Sequence, residues 1–232
     1  MARLTRLVVA GLTHHVIHRA VSGGVAFADA SDRQQFLQIL KRCGAEHGVA
    51  VHAYVLLDHE FQLMATPDAA DQLSRMMQAL ARFYVPAFNR RHGRAGALWQ
   101  GRFRAAPVVG AQALLDCMRY LEQAPQRAGW ASSLLEFDGS SAAHHAGRAA
   151  DALLSAVPAD SAFWALGNTP FARDAAYQAL LERPVPAALV ANLEACTPLG
   201  WALTSDGAAV ELSRVAPRRV TVKPKGRPVK MM

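Results

Sequence analysis

The sequence predicts an α/β chain of the α+β kind: a ferredoxin-like antiparallel sheet with helices on one face, then a C-terminal helical appendage and a disordered basic tail. Three observations carry that expectation. Hydrophobic periodicity switches between strand-like and helix-like in the order strand, helix, strand, strand, helix, strand, helix across residues 15–123. The connections between these segments are the short hairpins and crossovers such a sheet needs. With 52% hydrophobic and 19% charged residues, the 232-residue chain can bury a sizeable core, which excludes global disorder.

Residues 15–19 (His-Val-Ile-His-Arg) alternate apolar and polar and read as the first strand. Residues 32–47 put Phe36, Leu37, Leu40 and Cys43 on one helical face, which Gly48 closes. Residues 49–57 (VAVHAYVLL) form a strongly apolar strand, joined through Asp58-His59-Glu60 to another at 61–65. A long helix follows over 69–91, with Leu73, Met76, Met77, Leu80, Phe83 and Tyr84 inside and a kink or break expected at Pro86. Residues 103–109 return as a strand, and 111–123 form a helix ended by Pro125 and Gly129. Past Trp130 come alanine-rich helical segments at 142–155, 159–166, 170–182 and 186–196, interrupted by prolines, which read as an appendage on or beside the core. The expected division is 1–130, 131–212 and 213–232.

No apolar run reaches the roughly 18 residues of a membrane span. Arg3 and Arg6 precede a short apolar stretch, but His14 and His15 follow at once, a poor signal peptide. Cys43, Cys117 and Cys196 are far apart and odd in number, as in the reduced thiols of a cytoplasmic protein rather than a disulfide frame or zinc site.

The formal charge of +7 is unevenly spread. Residues 82–104 hold six arginines and no acid, and residues 214–230 hold seven basic residues and no acid. Those two stretches contain 13 of the 25 Lys and Arg, so the remainder carries 12 basic against 18 acidic residues. Concentrated positive charge on an otherwise acidic body is the footprint of a phosphate-backbone binder. Phe83, Tyr84, Phe88, Trp99 and Phe103 lie among the first group of arginines, where they suit base stacking or the core. Arg90, Arg91, Arg94, Arg102 and Arg104 are the candidate DNA contacts there. In the tail, Pro224-Lys225-Gly226-Arg227-Pro228 resembles an AT-hook, whose extended Gly-Arg-Pro core lies in an A·T-rich minor groove. Lys225 and Arg227 would make that contact.

Three ordered segments resemble one family. They are His52-Ala-Tyr-Val-Leu-Leu-Asp58 with the polar residues after it, Phe88-Asn-Arg-Arg-His-Gly-Arg94 leading to Leu98-Trp-Gln-Gly-Arg-Phe-Arg104, and Arg119-Tyr-Leu-Glu-Gln-Ala-Pro-Gln-Arg-Ala-Gly129. Together they look like the REP-associated tyrosine transposases, a branch of the single-tyrosine HUH transposases, from about Arg3 to Gly129. The resemblance continues more loosely into Trp164-Ala-Leu-Gly-Asn-Thr-Pro-Phe-Ala172. It implies a bacterial, nucleoid-associated protein, monomeric or homodimeric, that cleaves and rejoins DNA at hairpin-flanked single strands. A tyrosine attacks a phosphodiester to form a 5′-phosphotyrosine, and Mg²⁺ or Mn²⁺ polarises the scissile phosphate.

On that resemblance Tyr120 is the nucleophile. The family's two metal-binding histidines fall on Glu60 and Gln62, which period-two alternation places on one strand face. The polar position four residues after the tyrosine is Ala124. Hard cations accept carboxylate and amide oxygens, so Glu60 and Gln62 remain candidate ligands, with Glu122, Gln123 or water replacing the third. A second departure is Ala20-Val-Ser-Gly-Gly-Val-Ala-Phe27, where the family carries a polar loop. His14, His15 and His18 read as hydrogen-bonded strand residues rather than a metal cluster. Three functions stay open: a metal-dependent single-strand transposase or nickase, a non-catalytic DNA-binding derivative, and a domain whose basic stretches bind RNA or acidic proteins.

Overall fold

The structure is a computed structural model and describes residues 5–204 and 206–221. The AT-hook-like segment, with Lys225 and Arg227, lies outside the described residues. The expected order is present: β1 (His14–Arg19), α1 (Ala30–Glu46), β2 (Val49–Leu57), β3 (Glu60–Pro67), α2 (Gln72–Arg91), β4 (Arg104–Val109) and α3 (Ala111–Glu122). The short helices α4 (Ala124–Arg127) and α5 (Ala142–His145), a 3₁₀ turn at Ala162–Leu166, α6 (Pro170–Leu181), α7 (Ala187–Cys196) and a 3₁₀ turn at Thr197–Leu199 follow. The described chain closes with β5 (Leu203–Thr204) and α8 (Asp206–Val215).

The sheet runs β2-β3-β1-β4-β5. Its first four strands are antiparallel, while β5 joins β4 in parallel. A strand covered on both faces carries a continuous apolar run rather than an alternating one. β2 does so, with eight of its nine residues buried. One face takes α1 and α2, where Phe27, Phe36, Phe61, Tyr84 and Trp99 pack ring against ring. Burying each such side chain is worth about 1.5–3 kcal/mol.

The other face takes α3, so helices cover both faces of the sheet where the sequence reading put them on one, and the residues past Trp130 complete that layer: Phe163, Tyr177, Leu181, Leu193 and Leu203 share a core with Met64, Leu115 and Met118. The appendage is therefore a covering for the second sheet face. Several of its elements differ from expectation, and the helix read over 159–166 is only the 3₁₀ turn at Ala162–Leu166. The helix read over 142–155 is only α5, because Gly147 at φ +67° turns the chain out of it. The helix α8 and the strand β5 had no reading.

Pro86 does not break α2. Its ring removes the bond to the Arg82 carbonyl, but Pro86 and Arg82 both lie on the exposed side, where water can satisfy that oxygen. The C-terminus of α2 is clamped to the N-terminus of α1. Asp29 caps α1 by accepting from the Asp32 backbone N–H at 3.0 Å. Arg91 binds Asp29 at 2.6 Å and also the fully buried Asp32, which His92 contacts at 2.9 Å. Gly48, at φ +61° after α1, takes the left-handed conformation that favours glycine. A Cβ there would lie 2.8 Å from the Asp68 carboxylate, a side-chain end that can turn aside.

Candidate functional site

Directly opposed residues of antiparallel strands share a face. The register pairs Arg19 with Glu60, Ile17 with both Gln62 and Arg104, and His15 with Met64. Arg19, Glu60, Gln62, Arg104 and His15 therefore all project to the face that α3 covers. Tyr120 comes down onto that face from the last turn of α3, 6% exposed. Its ring meets the His15 ring edge-on at 5.9 Å between centroids and an angle of 84°. The structure thus brings together the three residues proposed as nucleophile and metal ligands.

What lies between them is a closed chain of hydrogen bonds. Arg19 Nε donates to Glu60 Oε2 at 2.7 Å, and Gln62 Nε2 donates to Glu60 Oε1 at 2.6 Å. Gln62 Oε1 can only accept, so the 2.9 Å contact with His15 makes His15 Nε2 the protonated nitrogen. His15 Nδ1 then accepts from the Thr197 hydroxyl at 2.8 Å. Burial pushes the His15 pKa down to about 4, which keeps the ring neutral at physiological pH, consistent with that tautomer. Arg127, from α4, stacks its guanidinium 4.1 Å from the centre of the Tyr120 ring. Burial raises the Tyr120 pKa, and the Arg127 charge opposes that rise.

This donor set does not fit a divalent cation. Both Glu60 oxygens and the Gln62 oxygen are engaged by N–H donors, and a guanidinium already neutralises the carboxylate. The third ligand is missing as well. Ala124 has no donor atom. The Glu122 carboxylate instead accepts from Ser141 at 2.5 Å, His145 at 2.6 Å and Tyr177 at 2.6 Å. Gln123 donates to the carbonyls of Leu181 and Arg183 and accepts from the Val185 N–H. Both residues hold the C-terminal layer to α3. Among the described residues, no group of three His, Cys, Asp or Glu side chains is arranged to hold a metal ion.

Beside the polar chain lies a cleft of about 550 Å³, lined by Arg19, Gln100, Gly101, Arg102 and Arg104, with Pro198 and Leu199 on its far wall. The turn carrying Arg102 is held firmly. Gly101 takes φ +65°, His18 Nε2 donates to its carbonyl at 3.1 Å, and the His18 ring stacks on Trp99 at 4.9 Å. Arg6 approaches from below, its guanidinium 3.8 Å over the Phe103 ring. Burial and the charges of Arg102 and Arg104 lower the Arg6 pKa.

The candidate DNA contacts divide accordingly. Arg102 and Arg104 line this cleft. Arg91 is held by Asp29 and Asp32, while Arg90 and Arg94 lie at the end of α2, on the layer across the sheet. Tyr84, Phe88, Trp99 and Phe103 are buried core residues, and only Phe83 of that set is exposed, under Arg42 and Arg82. Sequence reasoning read His15 only as a hydrogen-bonded strand residue, which it is, and gave no role to Arg19, Arg127 or Thr197. The odd-numbered phase shared by His15, Ile17 and Arg19 was a signal for Arg19. Nothing local marks Thr197, which arrives from 182 residues away.

No protein-family model matches the chain, and the comparison with curated proteins yields no match. Solved structures do match. A REP-associated tyrosine transposase bound to a REP hairpin aligns over 67% of this chain and 92% of its own, with a TM-score of 0.55 and 15% identity. The chain shares that transposase's fold. A candidate transposase from Deinococcus radiodurans R1 aligns over 55% of this chain and 92% of its own, with 19% identity and a TM-score of 0.37. The likeness in fold therefore rests on the first of these, and it bears out at the level of fold the resemblance carried by the three motifs. No helix among the described residues is long and apolar enough to cross a membrane.

Proposed function

We propose that this chain is a transposase-like DNA-binding protein that takes single-stranded or hairpin DNA through the arginine cleft beside Tyr120. The observation that carries this reading is the placement of Arg19, Arg102 and Arg104 around one open cleft with no acid in its lining. Its location supports the reading further, since the cleft lies on the sheet face that presents Tyr120. The transposase of the same fold is described bound to a REP hairpin. Each phosphate neutralised by such a cleft releases counterions, so affinity should fall steeply with salt.

The test is fluorescence anisotropy with labelled hairpin DNA over a salt series, wild type against Arg102→Ala/Arg104→Ala. The double variant should bind more weakly, with a log–log salt slope smaller by about 2, one for each lost phosphate contact. Equal slopes for the two proteins would overturn this reading. A preference for single-stranded RNA over hairpin DNA would transfer the cleft to a different partner.

A second reading, cleavage through a 5′-phosphotyrosine on Tyr120, draws support from the Tyr120–Arg127 contact, in which a guanidinium favours the phenolate that attacks. Its test is a covalent protein–DNA adduct formed by wild type and not by Tyr120→Phe. The near-complete burial of Tyr120 under the C-terminal layer, and the occupied oxygens of Glu60 and Gln62, favour binding without cleavage.

A further inference from the structure

We propose that the Arg19 guanidinium, seated on Glu60, takes the place of a divalent cation and makes the cleft of Arg19, Arg102 and Arg104 a metal-independent binding site for a phosphodiester. The proposal rests on the DNA-binding reading and adds which group meets the phosphate and that no metal does.

The geometry of Arg19 carries it. Only its Nε is used in holding Glu60, at 2.7 Å. Its two terminal nitrogens make no hydrogen bond to the described residues, and the side chain is 54% exposed along the cleft wall. A guanidinium anchored through Nε presents its remaining N–H groups as a fork, the arrangement that fits two oxygens of one phosphate. Glu60, at 7% side-chain exposure, is locked from behind by Gln62, which is itself locked by His15 and Thr197. The chain of bonds thus fixes the direction of Arg19 as a second shell fixes a metal ligand. A cation entering at Glu60 would have to displace this guanidinium and turn Gln62 away from its two partners.

The cleft's own electrostatics point the same way. Arg102 and Arg104 stand close enough to Arg6 to perturb it, and no acid lines the cleft. Mutual repulsion among these cations is relieved by an anion, and a phosphodiester supplies one at every nucleotide. Glu60, the carboxylate that Arg19 touches, is already covered by it. Removing Arg19 would uncover that carboxylate and turn an attractive position into one that repels phosphate.

The experiment measures hairpin DNA binding by wild type, Arg19→Ala, Arg19→Lys and the surface control Arg75→Ala, each in EDTA and in millimolar Mg²⁺ or Mn²⁺. Wild type is also titrated with Mn²⁺ alone and followed by electron paramagnetic resonance, and circular dichroism confirms that each variant is folded. At matched ionic strength wild type should bind DNA no more tightly in Mg²⁺ than in EDTA and should take up no Mn²⁺. Arg19→Ala should lose about tenfold or more in EDTA, the scale of one charge-assisted hydrogen bond, and regain part of that loss when a divalent ion screens Glu60. Arg19→Lys should fall between, since it keeps the charge but not the fork. Arg75→Ala should match wild type.

Mn²⁺ uptake by the wild type, or tenfold tighter DNA binding with Mg²⁺, would overturn the proposal and leave the DNA-binding reading intact. So would an Arg19→Ala protein that binds like Arg75→Ala while Arg102→Ala/Arg104→Ala is weakened. Absence of DNA binding by every protein under every condition would instead overturn the reading on which this site rests.

Discussion

Replacing Glu122 tests how the C-terminal layer is attached to the sheet. Its carboxylate is fully buried and accepts three hydrogen bonds, from Ser141 and His145 near α5 and from Tyr177 on α6. Burial pushes the Tyr177 phenol well above its ordinary pKa, so it acts here as a donor. Hydrogen bonds to a charged group contribute about 1.5–3 kcal/mol each and are not additive within one network. Glu122→Ala leaves the Tyr177 hydroxyl and the His145 N–H buried without their acceptor, while Ser141 can still donate to the Tyr54 carbonyl at 3.2 Å, a loss on the scale of about 3–5 kcal/mol for stripping one partner from a buried polar cluster. Tyr177→Phe removes one of the three bonds and should cost about 1.5–3 kcal/mol. In a chain of this length each kcal/mol shifts the melting temperature by roughly 2–4 °C. Glu122→Ala should therefore melt roughly 6–20 °C below wild type, and limited proteolysis should cut first between residues 131 and 200. Thermal melting by circular dichroism gives the first number. Because Glu122 and Tyr177 touch, the double variant should lose less than the sum of the two single losses. A Glu122→Ala protein melting within about 2 °C of wild type would refute the assignment of this carboxylate as the tie between layers.

Three further outcomes are expected. Burial lowers the pKa of His14 and of His18 to about 4, below the unfolded value of about 6.5. The unfolded chain therefore binds more protons between those values, and stability present above pH 6.5 should be lost as pH falls toward 4; urea midpoints measured at pH 7 and pH 5 should show the drop. Arg91→Ala leaves the fully buried Asp32 with only His92 and backbone donors. It should destabilise the α1–α2 clamp, readable as a lower urea midpoint with an unchanged slope. Tyr120→Phe should leave hairpin DNA affinity within about twofold of wild type if binding belongs to the arginine cleft, since loss of a base or phosphate contact would cost tenfold or more; anisotropy decides it.

How the sheet is assembled from local segments was legible in the chain because its periodicities are strong and close together. VAVHAYVLL is apolar along almost its whole length and reads as a strand, and Phe36, Leu40 and Cys43 can share a face only on a helix. Alternation alone put Glu60 and Gln62 side by side. The alanine-rich region past Trp130 was harder to read, since alanine favours a helix without saying where it stops. Gly147 and the packing of residues 146–155 against β2 end α5 after four residues. The charge pattern located cations but not their use. Arg91 and Arg102 look alike in sequence, yet one is bound between Asp29 and Asp32 and the other opens on a cleft.

The sequence by itself determined the order of strands and helices from β1 to α3, the face shared by Glu60 and Gln62, and the position of Tyr120 on a helix before a Pro-Gly end. Each follows from residues a few places apart, through the periods of the strand and the helix. Only the tertiary structure decided that Arg19 stands opposite Glu60, that His15 and Thr197 close the chain behind Gln62, and that Glu122 faces Tyr177 instead of a metal. Those pairings depend on strand register and on the docking of a layer 55 to 182 residues away. Local periodicity carries no information about either.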